Sequence, residues 1–312
     1  MNIVIQMVLL VVGFGMLIKG ADLFVEGASS IADRFGIPQI IIGLTIVAFG
    51  TSAPEAAISI SAALQGSADL TIGNVLGSNI LNVVVILGIT AIIAPLPVQK
   101  CTKKYEIPFV IVITLLLLVL GMDGVINRTD AGILWGLMIV FLIYLFRLAK
   151  TGAAASEQEV DKSASMFKLI LLTLIGGGLI VLGSDVTVDS ATIIAQTFGV
   201  SERMIGLTVV ALGTSLPELI TSVTAGRKGK TDIAIGNIVG SNIFNLLFVV
   251  GSAGLITNIT FDPQFIIDGI IAAAAVLLLW FFINKDKMLK SYAGVILLAC
   301  YVGYFIYLVT LV

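Results

Sequence analysis

The sequence predicts an all-α membrane protein of ten transmembrane helices, built as two inverted five-helix repeats with discontinuous core helices. Three observations predict it. Of 312 residues, 58% are hydrophobic and only 12% charged, with a mean hydropathy of +1.13. Soluble domains carry about 25% charged residues. Several apolar runs of 17 or more residues are long enough to span a bilayer. Finally, residues 43–82 recur at 206–245 with a constant offset of 163, no gap and 22 identities in 40 positions.

Taken in order, the apolar runs place helices at 3–20, 38–64, 70–95, 106–121, 131–149, 167–184, 201–225, 232–256, 264–283 and 291–311. Two further stretches, 21–34 and 185–197, read as amphipathic continuations of the first and sixth helices. The likeness of the halves reaches these flanks: Gly20 and Asp22 match Gly183 and Asp185, and Phe35-Gly36 matches Phe198-Gly199. Five helices per half is an odd number, so the second half enters the membrane with opposite orientation. Such inverted repeats put their site near the midplane, where the halves meet. The halves are residues 1–149 and 167–312. Between them, 150–166 is polar and rich in small residues, a cytoplasmic linker too short to fold as a regulatory domain. The first residues lack a basic n-region and a small-residue cleavage site, so the opening helix is read as retained.

Topology follows from lysine and arginine. With the N-terminus outside, the inner loops hold Arg34, Lys100, Lys103, Lys104, Arg147, Lys150, Lys162, Lys168, Arg227, Lys228, Lys230, Lys285, Lys287 and Lys290, which is 14 of 17 basic residues. The outer loops hold Arg128 and Arg203. A multi-pass protein of the cell (inner or plasma) membrane is expected, both termini outside. The basic cluster at 227–230 reads as a topology anchor. Two glycosylation-type sequons, at Asn127 and Asn258, read as chance.

Several classes of function are excluded. The net charge of −2 says nothing about nucleic acid, but no basic patch interleaves with aromatics, so no nucleic-acid partner is expected. There is no histidine for a zinc site or a His-based proton relay, and Cys101 and Cys300 do not suit a structural disulfide. No cofactor is expected.

The chemistry lies in the repeat. Each copy sets one carboxylate, Glu55 or Glu218, in an otherwise uncharged apolar stretch, where an ionisable residue marks a functional site. In Gly50-Thr51-Ser52-Ala53-Pro54-Glu55 the proline removes a backbone hydrogen bond in mid-membrane. Non-helical backbone at that depth is tolerated where it is buried in protein or lines a cavity. Carbonyls near Ala48 and Phe49 are expected to be freed, with hydroxyls from Thr51 and Ser52 beside Glu55. Thr51 and Glu55, four apart, share a helix face. Gly213 to Glu218 repeats this with Thr214, Ser215 and carbonyls near Ala211. The second element, Gly73 to Asn82, recurs as Gly236 to Asn245. Ser78 and Asn82 lie four apart on one face, as do Ser241 and Asn245. A ring of neutral oxygens around two carboxylates suits hard cations: Ca²⁺ takes roughly 6–8 oxygen ligands. No soft ligand invites copper or zinc. Asn79, Asn242, Asn74 and Asn237 read as interhelical contacts, Asp69 and Asp232 as N-caps. Asp22, Glu26, Asp185 and Asp189 read as solvated or cation-attracting.

At these motifs the chain resembles the cation/calcium exchanger superfamily, and within it the sodium/calcium exchanger branch in its compact prokaryotic or archaeal form. GTSAPE with GNVLGSNILN, and GTSLPE with GNIVGSNIFN, fit the family pattern at both copies, and the resemblance covers essentially the whole chain. It implies alternating access and one Ca²⁺ site surrounded by Na⁺ sites. By position, the implied ligands are Thr51, Ser52, Glu55, Ser78, Asn82, Thr214, Ser215, Glu218, Ser241 and Asn245, with the carbonyls of Ala48 and Ala211. The first and sixth helices would slide across the other eight as the gate. Potassium-dependent relatives carry Asp where this chain has Asn245, which argues against K⁺ transport. The Ca²⁺/H⁺ branch usually shows Gly-Asn-x-x-Glu where this chain has Gly-Thr-Ser-x-Pro-Glu, so the Thr and Ser residues favour Na⁺.

The expected function is a Na⁺/Ca²⁺ antiporter, not an enzyme, working as a monomer with Ca²⁺ and Na⁺ as its partners. The alternative is a Ca²⁺/H⁺ exchanger using the same glutamates as proton carriers. A passive channel would show a ring of subunits or a continuous pore, and protease-type aspartate pairs and zinc-binding His-Glu motifs are absent.

Overall fold

The computed structural model describes residues 3–65, 69–155, 165–199 and 211–311. Its helices are α1 (Ile3–Phe35), α2 (Gln39–Thr51), α3 (Ala53–Leu64), α4 (Leu70–Ile93), α5 (Thr102–Asp123), α6 (Arg128–Ala155), α7 (Met166–Thr197), α8 (Ala211–Thr214), α9 (Leu216–Arg227), α10 (Thr231–Ile256), α11 (Gln264–Asp286) and α12 (Ser291–Leu311). Among the described residues eight helices are long and apolar enough to cross a membrane, or nine when the bent pair α2–α3 counts as one span.

Local chemistry sets the boundaries. The amphipathic stretches simply continue the first and sixth helices, because no proline interrupts them and Gly27 stays helical, until Gly36 (φ +62) and Gly199 (φ +77). Those residues take the left-handed conformation that ends helices and that glycine adopts without penalty. Pro54 and Pro217 sit in the first turns of α3 and α9, each just after a serine with non-helical angles: Ser52 at −85°, 8° and Ser215 at −91°, 4°. α2 and α3 meet at 51° across that break. The break falls between Thr51 and Glu55, so the shared-face argument does not carry across it. Inside α4 and α10 the helix widens to a π-turn at Asn82–Ile86 and again at Asn245–Val249, 163 residues on. π-turns inside α-helices concentrate at functional sites.

Two expectations are corrected. Helix α6 runs on to Ala155, into the stretch read as linker, because Thr-Gly-Ala-Ala-Ala holds no helix stop stronger than a single glycine; 156–164 lies outside the described residues. Asp232 is not an N-cap: α10 begins at Thr231 after Lys230, no side chain caps it, and the Asp232 carboxylate instead accepts a 2.5 Å bond from Gln99. Asp22, expected to be solvated or cation-attracting, remains partly exposed. It pairs with Lys228 at 3.0 Å, while Lys230 lies 3.7 Å from Asp33. The cluster read only as an anchor thus also docks the α9 end onto α1.

The helices of the two halves interleave. α1 packs along α7, α10 against α2 and the second half of α10 against α6; α11 lies on α5 and α12 on the end of α4. α10 is the central helix, with 94% of its apolar window buried against 22% for α1. α1 and α7 run antiparallel and touch through glycine. A Cβ on Gly13 would lie 2.4 Å from Thr187 Oγ1 and 3.0 Å from Gly183 O, and one on Gly20 would lie 2.9 Å from Gly176 O. One on Gly27 would reach Thr173 at 2.5 Å.

Two short antiparallel strand pairs close the ends. β1 (Leu96–Pro97) pairs with β4 (Met288–Leu289), and β2 (Val125–Ile126) with β3 (Ile259–Thr260). β1 and β2 flank α5, so the pairs sit at its opposite ends. Lys100, Lys103, Lys104 and Lys287 line a hollow beside the first pair. Asp123, Asp130 and Asp262 adjoin the second.

Candidate cation site

The two breaks bring both carboxylates to the centre of the bundle. Glu55 and Glu218 each occupy the first turn of a helix, α3 and α9, where the helix dipole favours negative charge. They are 1% and 0% exposed, and Ser52, three residues before Glu55, reaches Glu218 directly. A buried carboxylate costs several kcal/mol unless something of opposite charge balances it.

Oxygens from both halves surround them. Ser52 Oγ donates to Glu218 Oε1 at 2.7 Å, and Ser241 Oγ approaches the same oxygen at 3.5 Å. Thr51 Oγ1 donates to Asn237 Oδ1 at 2.9 Å. Buried with no hydrogen-bond partner are Glu55 Oε2, Glu218 Oε2, Asn82 Oδ1, Asn245 Oδ1, Ser215 Oγ and Thr221 Oγ1; among the described residues Glu106 Oε2, whose carboxylate accepts from Tyr144, is the one other. Buried polar atoms are nearly always paired. A concentration of orphan oxygens around two carboxylates therefore points to a cation as the missing partner. Ser78 is buried on the same element as Asn82. Thr214 closes the turn that Ala211 opens.

The asparagines hold this arrangement, and they do so twice. Asn74 Nδ2 donates to Ser59 Oγ at 3.0 Å and to Glu55 O at 3.4 Å; Asn237 Nδ2 does the same to Ser222 Oγ and Glu218 O at the same distances. Asn79 Nδ2 donates to Asn242 O at 3.2 Å, and Asn242 Nδ2 to Asn79 O at 3.3 Å. The symmetry fails at the carboxylates themselves. Ser52 is bonded to Glu218, while its counterpart Ser215 has no partner.

One expectation changes. Ala48 O is not left wholly free, for it accepts from Ser52 N at 3.0 Å. The missing proline N–H stands four residues after Gly50 and Gly213, so theirs are the carbonyls it releases. The Gly213 carbonyl is taken up by Ser184 Oγ at 2.9 Å. Sequence reasoning also passed over Ser59, Ser222 and Thr221. The serines carried a signal, since they are identical at the repeat offset. Thr221 carried none, because its counterpart is Ile58.

The chain is similar to known proteins over most of its length. The family model described as sodium/calcium exchanger protein matches residues 5–147 and 168–310. The chain is 30% identical over 348 residues to the sodium/calcium exchanger MaX1 of Methanosarcina acetivorans, covering 98% of this chain and 99% of that one. It is 38% identical over 263 residues to the inner membrane protein YrbG of Escherichia coli K12, covering 82% and 81%. A solved structure of the sodium-calcium exchanger NCX_Mj, soaked with Na⁺ and without Ca²⁺, superposes with a TM-score of 0.86 at 31% identity over the whole of both chains.

Proposed function

Because the chain belongs to the sodium/calcium exchanger protein family, we propose that it is a secondary antiporter exchanging Na⁺ for Ca²⁺ by alternating access. The observation that carries this reading is the opposition of two buried carboxylates, one from each half, among oxygens that lack partners. Two carboxylates balance one Ca²⁺ or two Na⁺. The ligands are the side chains of Thr51, Ser52, Glu55, Ser78, Asn82, Thr214, Ser215, Glu218, Ser241 and Asn245, with the carbonyl of Ala211 and, through the lone pair that its bond from Ser52 N leaves, that of Ala48. One chain supplies them all, so it acts as a monomer. Either cation neutralises the glutamates and permits the switch. The empty, doubly charged site resists closure and so enforces exchange over leak.

The architecture is ten crossings in two inverted repeats, 1–149 and 167–312, joined by a cytoplasmic segment, 150–166, that begins as the end of α6. Two observations support the inversion. The equivalent helices α1 and α7 face one another antiparallel. An offset of 163 carries β1 onto β3 and β2 onto β4, so it exchanges the strand pairs at opposite ends of α5. A two-fold axis that swaps the two ends of a spanning helix lies in the membrane plane. The tenth crossing is 201–225, of which α8 and α9 are the described part. The end with Lys100, Lys103, Lys104 and Lys287 faces the cytoplasm, which leaves both termini outside the cell membrane.

The test is ⁴⁵Ca²⁺ uptake into proteoliposomes driven by an outward Na⁺ gradient or, separately, by an outward H⁺ gradient. Na⁺-driven uptake that disappears in Glu55→Gln and in Glu218→Gln is expected. Uptake driven by H⁺ alone would make the protein a Ca²⁺/H⁺ exchanger on the same glutamates.

A further inference from the structure

We propose that Asn79 and Asn242 are positioning residues that fix which end of the Asn245 and Asn82 amides faces the cation. The inference rests on the site reading above and adds to it two residues that touch no ion. The relay starts at the backbone. A carbonyl can only accept, so whichever atom of Asn79 faces Asn242 O must be its amide nitrogen. The contact is 3.2 Å. That leaves Asn79 Oδ1 as the atom turned toward Asn245, 3.2 Å from its side chain. The Asn245 atom at that contact must therefore be its nitrogen, and Asn245 Oδ1 is forced to the opposite side, where it is buried and unpartnered. The mirror relay runs from Asn79 O through Asn242, at 3.3 Å, to the nitrogen of Asn82 at 2.9 Å. It leaves Asn82 Oδ1 buried and unpartnered in the same way.

An asparagine in a cation site otherwise has a choice. Its oxygen attracts the ion and its amide hydrogens repel it, and the two ends occupy nearly the same volume. Two crossed backbone carbonyls remove the choice at both ligands. Each repeat orients the ligand of its own half through the asparagine of the other. The four residues, at 79, 82, 242 and 245, are all at most 3% exposed, so water cannot replace a lost partner.

The test is a double-mutant comparison on the purified full chain, with Ca²⁺ binding measured by equilibrium titration and folding checked by thermal unfolding. Asn79→Leu keeps the bulk and deletes the acceptor that holds Asn245. It is expected to weaken Ca²⁺ binding about tenfold to a hundredfold, the scale of a contact to a charged group. In an Asn245→Asp background the same change should cost under about threefold, because a carboxylate presents oxygen whichever way it turns. Asn242→Leu, tested with and without Asn82→Asp, repeats the comparison independently. It serves if the first variant does not fold. Equal losses in both backgrounds would reduce these asparagines to packing and overturn the proposal. If the unmutated chain fails to bind Ca²⁺, it is the site reading that fails, which the wild-type titration shows by itself.

Discussion

The antiparallel contact between α1 and α7 can be tested by giving single glycines a methyl group. A Cβ on Gly176 would lie 2.5 Å from Phe24 N and 2.8 Å from Gly20 O, against about 3.4 Å for ordinary contact, so the helices must part by about 0.9 Å. Both clashing atoms are backbone, and no rotamer change can relieve them. Overpacking of this kind costs about 1–3 kcal/mol. The same substitution at Gly178, two residues along α7, meets nothing within 4 Å and replaces glycine by a better helix former, worth up to about 1 kcal/mol. Gly176→Ala should therefore lower the thermal midpoint of the detergent-solubilised protein, and Gly178→Ala should leave it level or raise it. Gly20→Ala and Gly15→Ala form the matching pair on α1, since Gly15 also faces open space. Equal midpoints for Gly176→Ala and Gly178→Ala would refute the close backbone packing.

The broken symmetry at the carboxylates gives a second expectation. Ser52→Ala removes the 2.7 Å donor to Glu218 and should cost the cation-free protein about 1.5–3 kcal/mol, whereas Ser215→Ala removes no partner and should leave its unfolding midpoint nearly unchanged. Tyr144 donates to the buried Glu106. Tyr144→Phe should destabilise by about 1–3 kcal/mol, and most of that loss should return in the double variant Tyr144→Phe, Glu106→Leu, as thermal unfolding would show. The partly exposed Lys228–Asp22 pair is a weaker contributor. Lys228→Ala should cost no more than about 1 kcal/mol, and high salt should shrink the difference.

Much of this was legible in the sequence because a membrane protein declares its costs. Glu55 and Glu218 stood out since nothing near them in sequence offsets a buried charge, and the repeat said they belonged together. The breaks at Ser52 and Ser215 followed from Pro54 and Pro217. Of the carbonyls expected near Ala48 and Phe49, that of Ala48 is taken by Ser52 N, and the proline rule itself points to Gly50 and Gly213. Asn79 and Asn242 were legible only as contacts. Their neighbours are 163 residues away, and periodicity within one helix says nothing about which atom of an amide is already engaged. Asp232 looked like a cap from its place before an apolar run, but Gln99 from the other half claims it. The linker boundary was blurred because alanine continues a helix as readily as it composes a polar loop.

The interleaving of the halves bears on how the molecule is made. α10, α11 and α12 find principal neighbours in α2, α5, α6 and the end of α4, all of which leave the ribosome earlier. The first five helices thus enter the bilayer before most of their packing partners exist. Insertion and folding are therefore separate events for this chain: the unbroken early helices wait among lipids, stable one by one because each satisfies its own backbone, while the broken span α2–α3 gains its partners only when the second copy arrives to thread between them.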